Sequence, residues 1–178
     1  RATSYNDSTW PSGPAQLGYG DGDEATTVGF GPDANNKFIT TYFRRAFNVT
    51  NASLFNGITL RLMRDDGAVV YLNGVEVWRT NMPAGTVTHL TTASVAIAGA
   101  DESTFVQTTI SPTSLLSGTN VLAVELHAPD GGLDVGLAAH VAWEYGFPGQ
   151  ARKLWQGRPV YGCYETEVDP VTGRWTAA

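Results

Sequence analysis

Residues 68–79 read Ala-Val-Val-Tyr-Leu-Asn-Gly-Val-Glu-Val-Trp-Arg. Two apolar, β-branched runs separated only by Asn73-Gly74 leave the chain few options. An Asn-Gly pair supplies the positive φ angles of a tight turn whose twist matches two antiparallel strands. Ala68 to Leu72 and Val75 to Arg79 are therefore expected to form a hairpin. Immediately upstream, Gly57 to Met63 alternates Ile58, Leu60 and Leu62 against Thr59, Arg61 and Met63, the period of a strand with one face on a core. Asp65-Asp66-Gly67 then turns the chain. Together these segments predict a three-strand meander.

The same signature recurs elsewhere. Phe38 to Val49 is rich in aromatic and β-branched residues, Val87 to Ala98 is rich in Thr and Val, and Thr104 to Ile110 alternates. Asn120 to His127 places Val121, Ala123, Glu125 and His127 on one face, with Leu122, Val124 and Leu126 on the other. Leu133 to Glu144 closes the set. The helix candidate is one turn, Ser111 to Leu116, with Ser111 as cap and Pro112 at the first helical position. Strands at this spacing predict an all-β chain, an antiparallel β-sandwich or jelly roll. From about Gly146 the texture changes: Phe147-Pro148-Gly149 breaks the pattern. Val160 to Val168 and Trp175, separated by a turn at 169–173, then read as a separate C-terminal hairpin. The division is thus 1–145 for the sandwich and 146–178 for a C-terminal extension.

A chain of 178 residues buries roughly two thirds of its unfolded surface, enough to form a core without disulfides or metal. Its single cysteine, Cys163, excludes an intrachain disulfide and a cysteine-rich zinc site. The formal charge of −6, with 11 Lys+Arg against 17 Asp+Glu, argues against nucleic acid. Neutral polysaccharide or an assembly partner fits better. No run of 18 apolar residues occurs, so no membrane span is expected. The opening Arg-Ala-Thr-Ser-Tyr-Asn-Asp-Ser has no apolar core of a signal peptide, and a mature product or cut fragment is expected. Low charge with abundant Thr, Ser, Asn and Gly points to a secreted, extracellular location.

Several segments, taken as a set, are familiar: 5–24, beginning Tyr-Asn-Asp-Ser-Thr-Trp; Thr40-Thr-Tyr-Phe-Arg-Arg45; 60–74, ending Tyr71-Leu-Asn-Gly74; and Gly118-Thr-Asn-Val-Leu-Ala-Val-Glu-Leu-His127. The set resembles the galactose-binding-like, carbohydrate-binding-module-like jelly-roll domains appended to secreted bacterial hydrolases, metallophosphatases and surface proteins. It resembles more distantly the amino-terminal sandwich of β-galactosidase-type glycosidases. The resemblance covers residues 1 to about 145. It implies a noncatalytic β-sandwich that binds carbohydrate and often holds calcium. It also implies that the family's first strand is missing here, since Arg1 begins after it. A sandwich short of one strand exposes a groove and an unpaired edge. The segment from Lys153 to Trp175 is expected to fill that groove, its own or a neighbour's, and the latter arrangement would build a homo-oligomer or filament.

Catalysis is not expected. The histidines are His89, His127 and His140, and no nucleophile elbow, His-Glu-x-x-His helix, phosphate loop or dinucleotide fingerprint occurs. Metal has a better case: Asp21, Asp23 and Glu24 lie on a glycine-flexible loop and offer the hard oxygens that suit structural Ca²⁺, the alternative being an ordinary acidic turn. Asp65 and Asp66 resemble the paired aspartates that hold calcium and sugar in the protective-antigen type of carbohydrate-binding domain, although a turn is the favoured reading. Asp101-Glu102 has the weakest case. For sugar, an aromatic plate beside carboxylates or arginines is wanted. The candidates are Trp78, Arg79 and Arg64, with Glu125 and His127 exposed on the late strand, weighed against a merely solvated face. Trp10 and Tyr19 are expected in the core. Asn6, Asn48 and Asn51 begin Asn-x-Ser/Thr triplets, expected to be accidental in a bacterial protein.

Overall fold

A computed structural model describes residues 1–20, 22, 24–128, 166–168 and 175–177. The chain is all-β. Its strands are β1 (Leu17–Gly18), β2 (Thr26–Thr27), β3 (Thr40–Val49), β4 (Ile58–Leu62), β5 (Gly67–Leu72), β6 (Val75–Thr80), β7 (Val106–Ile110), β8 (Gly118–His127), β9 (Thr166–Val168) and β10 (Trp175–Ala177). A four-stranded sheet runs β3-β8-β5-β6, β4 pairs with β7, and β9 with β10, all antiparallel; β1 and β2 form a short parallel pair.

The hairpin forms as the Asn-Gly pair requires. Asn73 and Gly74 have φ of 52° and 82°, so both central positions are left-handed, as a type I′ turn needs. β8 alternates as its sequence indicates: Leu122, Val124 and Leu126 enter a core that also holds Ile58, Leu60 and Leu62 of β4 and Ala68, Val70 and Leu72 of β5. The four-stranded sheet and the β4–β7 pair thus contribute to one apolar core. Tyr19 joins it, as expected. The opposite face of β8 and β5 has a smaller cluster of Val69, Tyr71, Val87 and Ala123, with Met82 packed against it.

Three expectations need correction. The meander does not form, because β4 leaves the sheet and pairs with β7 from Ile58↔Ile110 to Leu62↔Val106. Asp65 and Asp66, which were to reverse the chain in solvent, are buried at 4% and 2% exposure, where the chain crosses between sheets. Val87 to Ala98 is not a strand. Its Thr side chains hydrogen-bond nearby backbone instead, Thr91 Oγ1 accepting from Thr88 N–H at 2.9 Å and Thr88 Oγ1 from Leu90 N–H at 3.3 Å, a local alternative to a ladder. Pro112–Ser114 is the expected helical turn, a 3₁₀ turn, but Ser111 makes no side-chain cap. Of the C-terminal extension, β9 and β10 pair from Trp175↔Val168 to Ala177↔Thr166; the rest of the expected hairpin, 160–165 and 169–174, lies outside the described residues. The candidate strand Leu133–Glu144, Trp143 within it, Cys163 and the filling segment from Lys153 lie outside the described residues, apart from β9 and Trp175.

The Asn-x-Ser/Thr triplets each have local use for their asparagine. Asn6 Oδ1 accepts from Ser8 N–H, Asn48 Oδ1 from the Thr119 hydroxyl, and Asn51 Oδ1 from Ser53 N–H.

One buried polar side chain ties the start of β8 to the hairpin. Asn120 is fully buried; its Oδ1 accepts from Leu116 N–H at 2.8 Å and Asn73 Nδ2 at 2.7 Å, while its Nδ2 donates to the Leu116 and Gly118 carbonyls. Asn73 Oδ1 in turn accepts from Val121 N–H at 2.8 Å. Removing one partner leaves the others buried and unsatisfied. Asn120→Ala is expected to destabilise the fold by about 2–4 kcal/mol, measured by urea unfolding. Asn120→Asp, which turns a carboxylate oxygen towards two carbonyls, is expected to cost more.

Candidate functional site

Glu125 and His127 lie on the second face of β8, as the alternation requires, but they are not exposed. Their exposures are 3% and 0%. What covers them is the 81–97 segment together with Arg1. Gly67, opposite His127 in the ladder, allows that segment to approach, since a Cβ there would stand 2.6 Å from Met82 Sδ and 2.8 Å from the Asn81 carbonyl. Asp66 and Asn81 pin the cover: Asp66 Oδ1 accepts from Ile97 N–H at 2.5 Å, and Asn81 Nδ2 donates to the Val95 and Asp66 carbonyls. Asp66 is therefore part of a structural clamp.

Around Glu125 the polar groups are closely matched. Arg1 Nε and Nη2 donate to its two oxygens at 2.6 and 2.8 Å, and Nη2 also donates to the Val87 carbonyl. The guanidinium lies 5.0 Å from the Tyr71 ring centroid, and the Tyr71 hydroxyl donates to Glu125 Oε2 at 3.2 Å. Burial by itself would raise the Glu125 carboxyl, but His127, Arg1 and Tyr71 outweigh it and hold the group at about 2. The Tyr71 hydroxyl is pushed up by burial and by the neighbouring carboxylate.

The His127 tautomer follows from its partners. Nδ1 is 2.7 Å from the Thr91 carbonyl, which can only accept. It is also 2.9 Å from Thr40 Oγ1, whose own hydrogen goes to the His89 carbonyl. Nδ1 therefore carries hydrogen and donates to both. Nε2 is buried without a hydrogen bond among the described residues, 3.7 Å from Glu125 Oε2.

The other sugar candidates are dispersed. Trp78, opposite Val70, turns its half-buried ring towards the main core, whereas Arg79, one residue on, lies on the second face and forms a bidentate pair with Glu76 at 2.6 and 2.8 Å. That pair holds the Glu76 carboxyl below its ordinary range. Arg64 donates to Thr80 Oγ1 and the Asp66 carbonyl. No single surface joins Trp78, Arg79, Arg64, Glu125 and His127.

A concavity of a different kind runs along β3. This groove of about 730 Å³ is lined by every residue from Thr40 to Ala46, by Trp10, Phe38 and Asp7, and by Leu122 and Val124 at its floor. β3 is an edge strand whose sole partner among the described residues is β8, so its outer backbone edge opens into the groove. Trp10 is not the core residue expected. It is half-buried and meets the Tyr5 ring at 5.5 Å between centroids, the planes tilted by 60°, part of an N-terminal segment held by Arg44, which donates to Asp7 Oδ2 at 2.8 Å and to the Ala2 carbonyl. Phe38 and Tyr42 remain 54% and 41% exposed. The period-two pattern in the sequence could not reveal this groove, because it depends on which strand ends at the sheet edge.

Among the described residues no three acidic, histidine or cysteine side chains come together. Asp66 Oδ1 accepts from Ile97 N–H. Asp21 and Asp23 lie outside the described residues, and Glu24 Oε2 accepts from Gly22 N–H at 3.1 Å.

No protein-family profile matches the chain, and no curated protein matches it. Among solved structures it is similar to the β-D-mannosidase of Dictyoglomus thermophilum, with 21% identity over 51% of this chain and 9% of that one, and a TM-score of 0.33. The chain thus spans less than a tenth of that enzyme's length.

The Glu125 carboxyl sits at about 2 against 4.5 for the ordinary group. Where the unfolded state binds more protons, stability rises with pH, so the contribution of Glu125 is complete above about pH 4.5 and is lost as the pH falls towards 2. Glu125→Gln is expected to flatten stability against pH between those limits, measured by urea unfolding at each pH.

Proposed function

We propose that the chain is a noncatalytic, extracellular polysaccharide-binding module, its two antiparallel sheets forming a sandwich of the galactose-binding-like, jelly-roll kind. The observation that carries this reading is the groove beside β3. Its volume lies within the roughly 300–1,000 Å³ of ordinary ligand sites. The rings of Trp10, Phe38 and Tyr42 along it suit the apolar faces of pyranoses, and Asp7, Thr40 and Thr41 suit their hydroxyls. A binding role also agrees with the carboxylates. Glycoside hydrolysis needs two of them free to exchange protons across the scissile bond, whereas Asp7, the carboxylate among the described groove residues, holds Arg44. Calcium belongs to this reading at the Asp21, Asp23 and Glu24 loop, as a structural ion.

The test is a glycan array probed with the full chain, with and without calcium. Trp10→Ala is expected to weaken any binding roughly two- to tenfold, given the roughly 0.5–1.5 kcal/mol of an aromatic contact. Trp78→Ala is expected to leave binding intact and lower the thermal midpoint. The reverse pattern would return the site to β6.

The open outer edge of β3 favours a second reading, a structural subunit of an extracellular assembly that accepts a strand from the C-terminal extension of a neighbour. Light scattering of the full chain at high concentration is expected to show growing mass in that case, and a constant monomer removes this reading.

A further inference from the structure

The core-facing row of β3 reads Thr41, Phe43, Arg45, Phe47 and Val49. Phe43, Phe47 and Val49 enter the main core or pack against it. Arg45 interrupts this apolar row opposite Leu122, and it lines the β3 groove. The other described arginines are engaged: Arg1 with Glu125, Arg44 with Asp7, Arg79 with Glu76, Arg64 with Thr80 and the Asp66 carbonyl, and Arg61 over the Phe105 ring at 4.8 Å. Arg45 has no hydrogen bond, ion pair or ring contact among the described residues. Because Asp7 and Arg44 neutralise each other, the groove wall carries one uncompensated positive charge in a chain of formal charge −6.

We infer that the groove takes an acidic polysaccharide, with a uronate carboxylate on the Arg45 guanidinium and the rest of the sugar in the groove that Arg45 lines. This rests on the proposed glycan-binding function and specifies its substrate class. The planar, five-donor guanidinium matches a carboxylate with two parallel hydrogen bonds. A neutral glycan would leave it with only hydroxyls. An inward charge on an edge strand also hinders addition of another strand, which gives the competing role a distinct signature.

The experiment is titration of the full chain with polygalacturonate and with a neutral galactan, using wild type, Arg45→Ala, Arg45→Lys and Trp10→Ala. Arg45 is exposed, so its variants are expected to melt like wild type. Wild type is expected to prefer polygalacturonate, with affinity falling as salt rises from about 0.05 M to about 0.5 M. Arg45→Ala is expected to lose roughly tenfold on the acidic polymer and nothing on the neutral one, and Arg45→Lys to recover only part, since an ammonium lacks the fork. Equal binding of both polymers, or an Arg45→Ala chain that binds polygalacturonate as wild type does, overturns the inference while the glycan-binding reading stands. An Arg45→Ala chain that merely self-associates, with acidic binding unchanged, identifies Arg45 as an edge guard and also overturns it. Binding of neither polymer, together with a blank glycan array, overturns both.

Discussion

β8 lies between β3 and β5, and its two faces set the conditions for the rest of the chain. It pairs along all ten of its residues with β3 and along six with β5. Leu122, Val124 and Leu126 then form the floor that β4 covers, while Glu125 and His127 are fixed on the opposite side at a spacing that only a strand gives. A carboxylate and an imidazole so placed must be either solvated or satisfied. Arg1 satisfies the carboxylate and the 81–97 segment satisfies Nδ1 of the imidazole.

That choice explains where the polar groups are engaged. A buried charge is tolerated when its partners are close and well oriented, and Glu125 has a bidentate guanidinium, a phenol and an imidazole around it. Arg44, with a side chain only 5% exposed, does the same for the N-terminal segment by holding Asp7 and the Ala2 carbonyl. Asp66 and Asn81 anchor the covering loop. The second face of the sheet is therefore stabilised by polar contacts that have little left to offer a ligand, and the groove at the β3 edge is where rings and an unengaged guanidinium remain available.

The parts of the fold legible in the sequence were those governed by neighbours along the chain. The Asn73-Gly74 turn, the alternation of β4, β7 and β8, and the one-turn helix at Pro112 depend on local φ/ψ preference and a period of two. The errors arose where the same local signal has more than one tertiary outcome. Asp65-Asp66-Gly67 is a good turn in either a hairpin or a crossover between sheets, and only the pairing of β4 with β7 selects the crossover. Val87 to Ala98 has strand composition, yet Val87 and Ala93 serve as plugs on the second face. The site suffered most: Trp78 and Arg79 are adjacent in sequence and so point to opposite faces of β6, while Trp10 and Arg45, far apart in sequence, meet at one groove.

By itself the sequence determined that the chain is all-β, where its principal strands lie and which side chains share a face, because these follow from backbone sterics and the two-residue repeat. It also determined that Glu125 and His127 would face the same way. Whether that face would meet solvent or a covering loop was decided by the tertiary structure, since exposure depends on the arrival of residues 81–97 and of Arg1 from elsewhere in the chain. The groove was decided there too. It exists because β3 ends the sheet among the described residues, and strand order is a property of long-range pairing that no local pattern encodes.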